Sequence, residues 1–272
     1  MPGTNMNVSR RSSLVALLGL VAAGCGGGGG SGGGSGSTAP AMAGSTLTRT
    51  ISAQSNGTTY PLSIYLPPNT VAIRANLPTV YLLDGESRFQ TLVDIVETMK
   101  AQVMIVAIGN EAQRARDYVP ANICTTGGGG QAAFHQFIGT ELVPFVEATF
   151  PSNPQRRILL GHSHGGSFVL YALFNEVPAS RLFASYLASD SSIDCMSGTV
   201  SGWDSAYAAA NTALPVRLHV SYAANANGNI SFVQQVQSHH YTGLTLVSQA
   251  YGGGHTGMIP AAFTDALTFA LA

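Results

Sequence analysis

The chain has 272 residues, with 12 Lys or Arg and 13 Asp or Glu, which gives a formal net charge of −1. Only 9% of the residues are charged, against about 25% in an average globular protein. The sequence has no basic stripe, which argues against nucleic acid as a partner. Its three cysteines fit no metal-binding or redox spacing.

The N-terminus has the features of an export signal. Arg10 and Arg11 precede an apolar run over 14–23, which is too short for a permanent membrane span but typical of a signal peptide. Small residues then lead into Cys25, as in the bacterial lipobox, where the cysteine carries lipid; cleavage beside an incidental cysteine is the alternative. We expect a lipoprotein signal peptide over 1–24 and a lipid anchor at the bacterial cell envelope, on its periplasmic or extracellular face.

Glycine and serine dominate the segment after Cys25. Such a segment cannot bury enough apolar surface to offset its conformational entropy, so we expect a flexible tether over 25–44. The remaining residues, 45–272, are enough for one α/β catalytic domain.

This region alternates between strand and helix patterns. The predicted strands cover 47–53, 59–66, 79–83, 103–108, 157–160, 183–188, 216–221 and 244–250, the first two joined by a turn at Asn56-Gly57. The predicted helices cover 88–100, 132–149, 164–174, 230–240 and 259–271. This order predicts an α/β fold with a mostly parallel central sheet and helices on both faces.

The motif Gly161-His162-Ser163-His164-Gly165 matches G-x-S-x-G, and it lies between an apolar strand and a helical run. This context is typical of a nucleophile elbow, in which a strained turn projects the serine hydroxyl from the sheet. A Cβ atom at Gly161 or Gly165 would be expected to clash with neighbouring backbone. The motif therefore predicts Ser163 as a catalytic nucleophile.

A nucleophilic serine needs a base within hydrogen-bond reach. His255 lies in a glycine-rich loop after the last predicted strand, where this fold places its histidine, so we predict His255 as the general base. The other histidines are expected to be surface, packed or outward-pointing residues. They are His135, His162, His164, His219, His239 and His240.

The third member of the triad is open at the level of sequence. The usual position after the penultimate strand holds no carboxylate. We favour Asp190, which follows the strand before it, as the residue that orients His255, although its alternative role is a helix N-cap. Asn225 or Asn227 could orient the ring as a neutral partner, or Ser163 and His255 could act as a dyad.

An acyl-transfer site also needs two N–H groups aimed at the developing oxyanion. The backbone N–H of His164 is one candidate, and the N–H of Glu86 is the other, with Gly85 permitting a close turn. Asp84 is expected to bond amides of its own loop.

A loop of about twenty residues over 110–130 is predicted to form a wall of the substrate cleft. It carries Arg114, Arg116, Asp117 and Tyr118, and its glycine run lacks the Gly-Lys-Ser/Thr of a phosphate loop. Cys124 on this loop and Cys195 are expected on the cleft side of the sheet, where they could form a disulfide.

These landmarks resemble the esterase D or putative-esterase family of α/β-hydrolases, in particular its branch of siderophore esterases and related periplasmic hydrolases. The resemblance extends over about Thr58 to Ala272. It is carried by Val80-Tyr81-Leu82-Leu83-Asp84-Gly85, Arg116-Asp117-Tyr118-Val119-Pro120, the motif around Ser163, and Gly254-His255. It implies an α/β-hydrolase fold, ester or thioester substrates, and no metal or cofactor.

The chain departs from the family at two points. Ser189-Asp190-Ser191-Ser192-Ile193-Asp194 stands where the family often has Ser-Pro-Ser-Leu-Trp-Trp, and the acid that the family often has near Asn225 is missing.

We predict a serine esterase that hydrolyses small-molecule carboxylic esters through an acyl-enzyme. The alternatives are an acyltransferase on the same residues and a non-catalytic binding protein of hydrolase fold.

Overall fold

The computed structural model describes residues 44–68, 77–150, 152–196 and 198–272. The predicted signal peptide, Cys25 and the Gly/Ser-rich run lie outside these residues. In the part of the chain that is described, no helix is both long enough and apolar enough to cross a membrane.

Eight strands form one mixed sheet in the order β1-β2-β4-β3-β5-β6-β7-β8. The first two pairings, β1 with β2 and β2 with β4, are antiparallel, and all the others are parallel. The strands are β1 Ser45–Ser52, β2 Thr59–Leu66, β3 Thr79–Leu82, β4 Met104–Ile108, β5 Arg157–His162, β6 Ser185–Ser189, β7 Arg217–Ala223 and β8 Thr245–Tyr251. This arrangement confirms the predicted sheet.

Helices connect the parallel strands, and two more follow the last strand, β8. They are α1 Gly85–Met99, α2 Arg114–Tyr118, α3 Gln131–Phe137, α4 Val143–Thr149, α5 His164–Asn175, α6 Thr199–Ala210, α7 Asn227–Ser238, α8 Gly254–Gly257 and α9 Ile259–Leu271. A π-helical turn, Ile138–Leu142, joins α3 to α4 without a break. The single helix predicted over 132–149 is therefore two α segments with one wider turn between them.

Side chains of the central strands alternate between two hydrophobic cores, because successive residues of a strand point to opposite faces. In β4, Val106 belongs to the core that includes Phe134 of α3 and Phe168 of α5. Its neighbour Ile105 belongs to the core that includes Leu92 of α1 and Phe263 of α9. The central strands are thus buried on both faces, as predicted.

The structure contains two helices that were not predicted. The stretch predicted as a loop over 110–130 contains a 3-10 turn, Glu111–Gln113, followed directly by α2, so that prediction was wrong. The second is α6, for which no prediction was made, because one of its few buried side chains is the polar Asp204. Asp204 accepts hydrogen bonds from Tyr241 and Gln235, which stabilise its buried carboxylate.

Cys124 and Cys195 form a disulfide with a Cα–Cα distance of 5.4 Å. The bond joins the segment between α2 and α3 to the 3-10 turn Asp194–Met196 that follows β6. It therefore ties together two connections that lie far apart in the chain.

Removing this disulfide should destabilise the fold. The two cysteines are 71 positions apart, and closing a loop of that length lowers the entropy of the unfolded chain by an amount worth about 4 kcal/mol. Urea unfolding of a Cys124→Ser/Cys195→Ser variant, compared with the oxidised protein, measures the difference. Wild type unfolded in reductant should match the variant, and a loss below about 1 kcal/mol would contradict the expected bracing role.

Candidate active site

The carboxyl ends of four adjacent parallel strands meet at one edge of the sheet, which is where α/β folds place their sites. Ser163 follows β5 and Asp190 follows β6. His255 lies beyond β8, in the short helix α8. Three residues that are far apart in the chain therefore lie at the same edge of the sheet.

Ser163 occupies the strained turn between β5 and α5. Its backbone has φ 61° and ψ −124°, and it is the N-cap residue of α5. A positive φ is unfavourable for a residue with a side chain, and strain of this kind is characteristic of functional turns. The backbone is held from both sides, because the Ser163 N–H donates to Ser189 O at 2.9 Å and its carbonyl accepts from Ser167 N at 3.0 Å.

The glycines around Ser163 are required for close packing. The backbone clash predicted for a Cβ at Gly165, however, is found at Gly166 instead. A Cβ at Gly161 would lie 2.4 Å from the carbonyl oxygen of Gly165, as predicted. At Gly165, however, the nearest atom is the Asp84 carboxylate at 3.3 Å, and it is Gly166 whose Cβ would lie 2.8 Å from the carbonyl oxygen of Ser189. The elbow therefore needs its first and last glycines most.

His255 and Asp190 form a direct hydrogen bond, with 2.5 Å between Nδ1 and Oδ2. Asp190 is 5% exposed, and its other oxygen, Oδ1, accepts from the N–H of Ala223 at 2.9 Å. Its own N–H donates to Ser221 O at 2.7 Å, so β7 fixes both its backbone and its carboxylate. This pairing brings Asp190, rather than Asn225, to His255.

Three alternatives from the sequence do not match these contacts. The Asp190 carboxylate bonds to Ala223 and His255, so it is not a helix N-cap. Asn225 and Asn227 are exposed residues after β7, and the Nδ1 atom that either would have to meet is already bonded to Asp190.

The hydroxyl of Ser163 lies 3.3 Å from the Oγ of Ser192 and hydrogen-bonds to it. Ser163 and His255 line the same cleft. A rotation about the Cα–Cβ bond of Ser163 moves its hydroxyl among the staggered positions, and hydrogen bonds of catalytic groups commonly tighten only when substrate binds. Ser192 was not identified from the sequence.

Both predicted oxyanion donors lie at helix N-termini. His164 is the first residue of α5 and Glu86 is the second residue of α1. Amides in the first turn of a helix have no carbonyl partner within the helix, and they carry the positive end of its dipole. Both N–H groups are thus of the kind that can stabilise a developing negative charge.

The turn before α1 differs from expectation in its details. The residue with positive φ is Asp84, at 54°, rather than Gly85. Gly85 is needed because a Cβ there would lie 2.9 Å from the backbone of Ile108. Asp84 does not bond its own loop amides through its side chain; its two carboxylate oxygens accept from Nε and Nη2 of Arg114 at 3.1 and 3.2 Å.

Tyr118 stabilises the turn before α1 through hydrogen bonds. Its buried hydroxyl accepts from the N–H of Asp84 at 3.1 Å and donates to the side-chain oxygen of Asn110. Burial raises the pKa of Tyr118 well above its usual value, so the phenol keeps the proton that this bond needs. Tyr118 is therefore a support for the turn that carries Glu86.

The cleft has a volume of about 380 Å³ and mixed charge. Its lining residues are Asp84, Ser87, Arg88, Glu111, Arg114, His162, Ser163, His255 and Thr256. Of the four residues predicted to form the wall, Arg114 is the one in this lining. Asp117 and Tyr118 are buried, and the part-exposed Arg116 bonds Asp117 and Tyr60 instead of lining the cleft.

His162 was predicted to point away from the site, and that prediction was wrong. Its Nε2 lies 2.8 Å from the backbone carbonyl oxygen of His255, and the two rings are 4.5 Å apart between centroids. A carbonyl can only accept, so Nε2 of His162 carries the proton. No local sequence signal indicates this contact, because it joins residues 93 positions apart.

The remaining histidines lie outside the cleft. His135 contacts Glu176 at 2.8 Å, and His239 lies 3.0 Å from the buried Asp204. His240 is exposed and His219 is buried in β7, as predicted. Burial lowers the pKa of His164, with a further contribution from Arg114.

Among the described residues, His162, Asp190 and His255 form a group of metal-ligand types, with one such atom from each within 4.8 Å of the others. The hydrogen bonds within this group already use the Asp190 carboxylate, Nδ1 of His255 and Nε2 of His162. The arrangement fits proton transfer better than metal binding.

The two buried histidines should make the protein less stable in mild acid. Burial lowers the pKa of both His162 and His219 to about 4, against about 6.5 in an unfolded chain. The unfolded chain therefore binds these protons first as pH falls. The free energy of unfolding should drop by about 2 kcal/mol per histidine between pH 7 and pH 5.

Urea unfolding at the two pH values measures this loss, and His219→Leu is the matched variant. The variant should lose about half of the pH dependence. A variant whose stability falls as steeply as that of wild type would show that other groups cause the acid sensitivity.

Comparisons with known proteins identify the family of the chain. The profile of the family described as "Putative esterase" matches residues 53–246. The siderophore triacetylfusarinine C esterase of Aspergillus fumigatus is 35% identical over 136 residues, which cover 44% of this chain and 46% of that protein. The ferri-bacillibactin esterase BesA of Bacillus subtilis is 30% identical over 173 residues, which cover 54% of this chain and 58% of that protein.

The matches to these curated relatives thus span about half of their length. A solved IroE-like serine hydrolase from Shewanella oneidensis superposes with a TM-score of 0.74 at 24% identity, covering 83% of this chain and 80% of that one. The strand–turn–helix at Ser163 is a feature of α/β-hydrolases. The chain belongs to the Putative esterase family and has the α/β-hydrolase fold.

Proposed function

We propose that this protein is a serine esterase that hydrolyses carboxylic esters through an acyl-enzyme, with Ser163 as nucleophile, His255 as general base and Asp190 as the residue that orients His255. The observation that carries the proposal is the hydrogen bond from His255 Nδ1 to the buried Asp190, at the same cleft as the strained serine of the elbow. Family membership supports the same reaction class.

The tautomer of His255 follows from this bond. A carboxylate accepts hydrogen bonds, so Nδ1 of His255 carries a proton and Nε2 has the free lone pair. Nε2 takes the proton of the Ser163 hydroxyl as Oγ attacks the ester carbonyl carbon. Asp190 then lies beside the imidazolium, where its charge is stabilising.

The rest of the cycle uses the same groups. The tetrahedral oxyanion is stabilised by the backbone N–H groups of His164 and Glu86. When the intermediate collapses, the alcohol leaves with the proton from His255, and Ser163 remains acylated. Nε2 then removes a proton from water, which attacks the acyl carbon and releases the carboxylic acid.

Two alternatives use the same scaffold. An acyltransferase would pass the acyl group to an alcohol instead of water, and a binding protein would not turn over at all. The pairing of His255 with Asp190 favours a catalyst over a binding protein, and the curated esterase relatives favour hydrolysis over acyl transfer.

The relatives support a proposal for the substrate class. The two curated proteins described above are named as esterases of triacetylfusarinine C and of ferri-bacillibactin, both siderophores. We propose that small-molecule esters of the siderophore kind are substrates for this chain. The cleft is compatible with a polar ligand, because Arg88, Glu111 and Arg114 lie in its lining.

Ester hydrolysis tests the activity directly. Purified protein should release p-nitrophenol from p-nitrophenyl acetate, and a fluorophosphonate should stop the release. Chromatography of triacetylfusarinine C and ferri-bacillibactin after incubation should show the hydrolysed products. If the protein released no p-nitrophenol and left both siderophores intact, the proposed function would be contradicted.

Localisation is a separate proposal that depends on the sequence alone. We propose that lipid on Cys25 holds the catalytic domain at the cell envelope through the Gly/Ser-rich tether. In a bacterial host, the full chain should enter the detergent phase after Triton X-114 extraction, whereas Cys25→Ala should not. Equal partitioning of the two proteins would contradict a lipid anchor at Cys25.

A further inference from the structure

We infer that His162 is a positioning residue for the general base: it holds the main chain of His255, and thereby the ring, against the end of the sheet. This inference rests on the proposed function of His255. It adds a fourth side chain to the proposed Ser163–His255–Asp190 triad.

The glycine-rich segment that carries His255, residues 252–257, has few features of its own that restrict its conformation. Glycines stand at positions 252, 253, 254 and 257, and Gly253 and Gly254 have φ of 86° and 67°. Glycine loses more conformational freedom than other residues when it is ordered. The helix around His255 is a single turn of four residues, and the side chain of His255 is 51% exposed.

Two contacts from the sheet fix this segment. Asp190 bonds to the ring of His255 through Nδ1, and His162 donates to its backbone carbonyl. The ring of a histidine whose backbone moves cannot keep both its bond to Asp190 and its approach to Ser163. The backbone contact therefore complements the ring contact, and each requires the other for a fixed position of Nε2.

His162 is well suited to this task. It ends β5 immediately before Ser163, so it shares the rigid support of the nucleophile. It is 3% exposed and its ring packs on that of His255. Because burial lowers its pKa to about 4, it stays neutral while His255 works, and it adds no positive charge beside the imidazolium that forms there.

The kinetics of two variants distinguish the hydrogen bond from His162 to the His255 carbonyl from the packing of the two rings. His162→Phe keeps a ring against His255 but has no donor, whereas the amide of His162→Gln can reach the same carbonyl. For p-nitrophenyl acetate, kcat of the Phe variant should fall about tenfold to a hundredfold, a larger change than that in KM, which can also shift because His162 lines the cleft. The Gln variant should recover most of kcat. Equal kcat in His162→Phe and wild type, or equal losses in both variants, would overturn the inference.

Nuclear magnetic resonance of wild type labelled with ¹⁵N-histidine tests the contact without any variant. His162 should be in the Nε2–H tautomer at pH 7, and the Nδ1–H proton of His255 should resonate far downfield because it is bonded to Asp190. The Nδ1–H tautomer at His162 would overturn the inference, because Nε2 could not then donate. This result is independent of activity, whereas failure of the proposed function would appear as absent hydrolysis with the tautomer unchanged.

Discussion

Ser163→Ala is expected to lower kcat for ester hydrolysis by about 10⁴-fold or more, because no other step in the proposed cycle can replace attack by its hydroxyl. The variant should keep its fold, since alanine can replace serine without filling new space. The backbone already has the positive φ that strains this position, so stability should change little. Stopped assays with p-nitrophenyl acetate at high enzyme concentration measure the residual rate.

Ser192→Ala is the matched control for this experiment. Its hydroxyl lies 3.3 Å from that of Ser163, so it is the nearest alternative nucleophile of the same chemistry. We expect this variant to retain activity within about tenfold of wild type, the effect of one lost hydrogen bond. If Ser192→Ala were inactive and Ser163→Ala active, the nucleophile would be Ser192.

Asp190→Asn should lower kcat by about 10⁴-fold. The Asn side-chain oxygen can still accept from the N–H of Ala223, which leaves the NH₂ group facing Nδ1 of His255. A donor there favours the tautomer with the proton on Nε2, which cannot act as a base. The same substitution should leave KM for the ester nearly unchanged, since Asp190 is not in the lining of the cleft.

Asn225→Ala provides the comparison for Asp190→Asn. Asn225 is exposed after β7, where the fold usually places its acid. We expect it to keep full turnover. Full turnover by Asp190→Asn, combined with a large loss in Asn225→Ala, would reverse the assignment of the third residue.

The sheet and the two main catalytic candidates could be predicted from the sequence because both have local signals. Strands buried on both faces are short apolar runs, and the Ser163 motif is one continuous segment between a strand and a helix. His255 follows the last strand. The same reasoning fails for α6, where the buried Asp204 interrupts the apolar pattern.

Contacts between strand ends could not be predicted in this way. Asp190 was one of several candidates because its carboxylate reaches His255 only through the pairing of β6 with β7, whose Ser221 fixes the Asp190 backbone. The bond from His162 to the His255 carbonyl and the position of Ser192 beside Ser163 also depend on tertiary packing. None of these three contacts leaves a pattern in the sequence.

The identity of the nucleophile can be read from a covalent adduct. Wild type is incubated with a fluorophosphonate, digested with protease, and analysed by mass spectrometry to locate the phosphonylated residue. We expect one adduct, on Ser163, with none on Ser163→Ala and much slower labelling of His255→Ala. An adduct on Ser192 or another serine, or no labelling of a folded wild-type protein, would contradict the central claim that Ser163 and His255 act together as nucleophile and base.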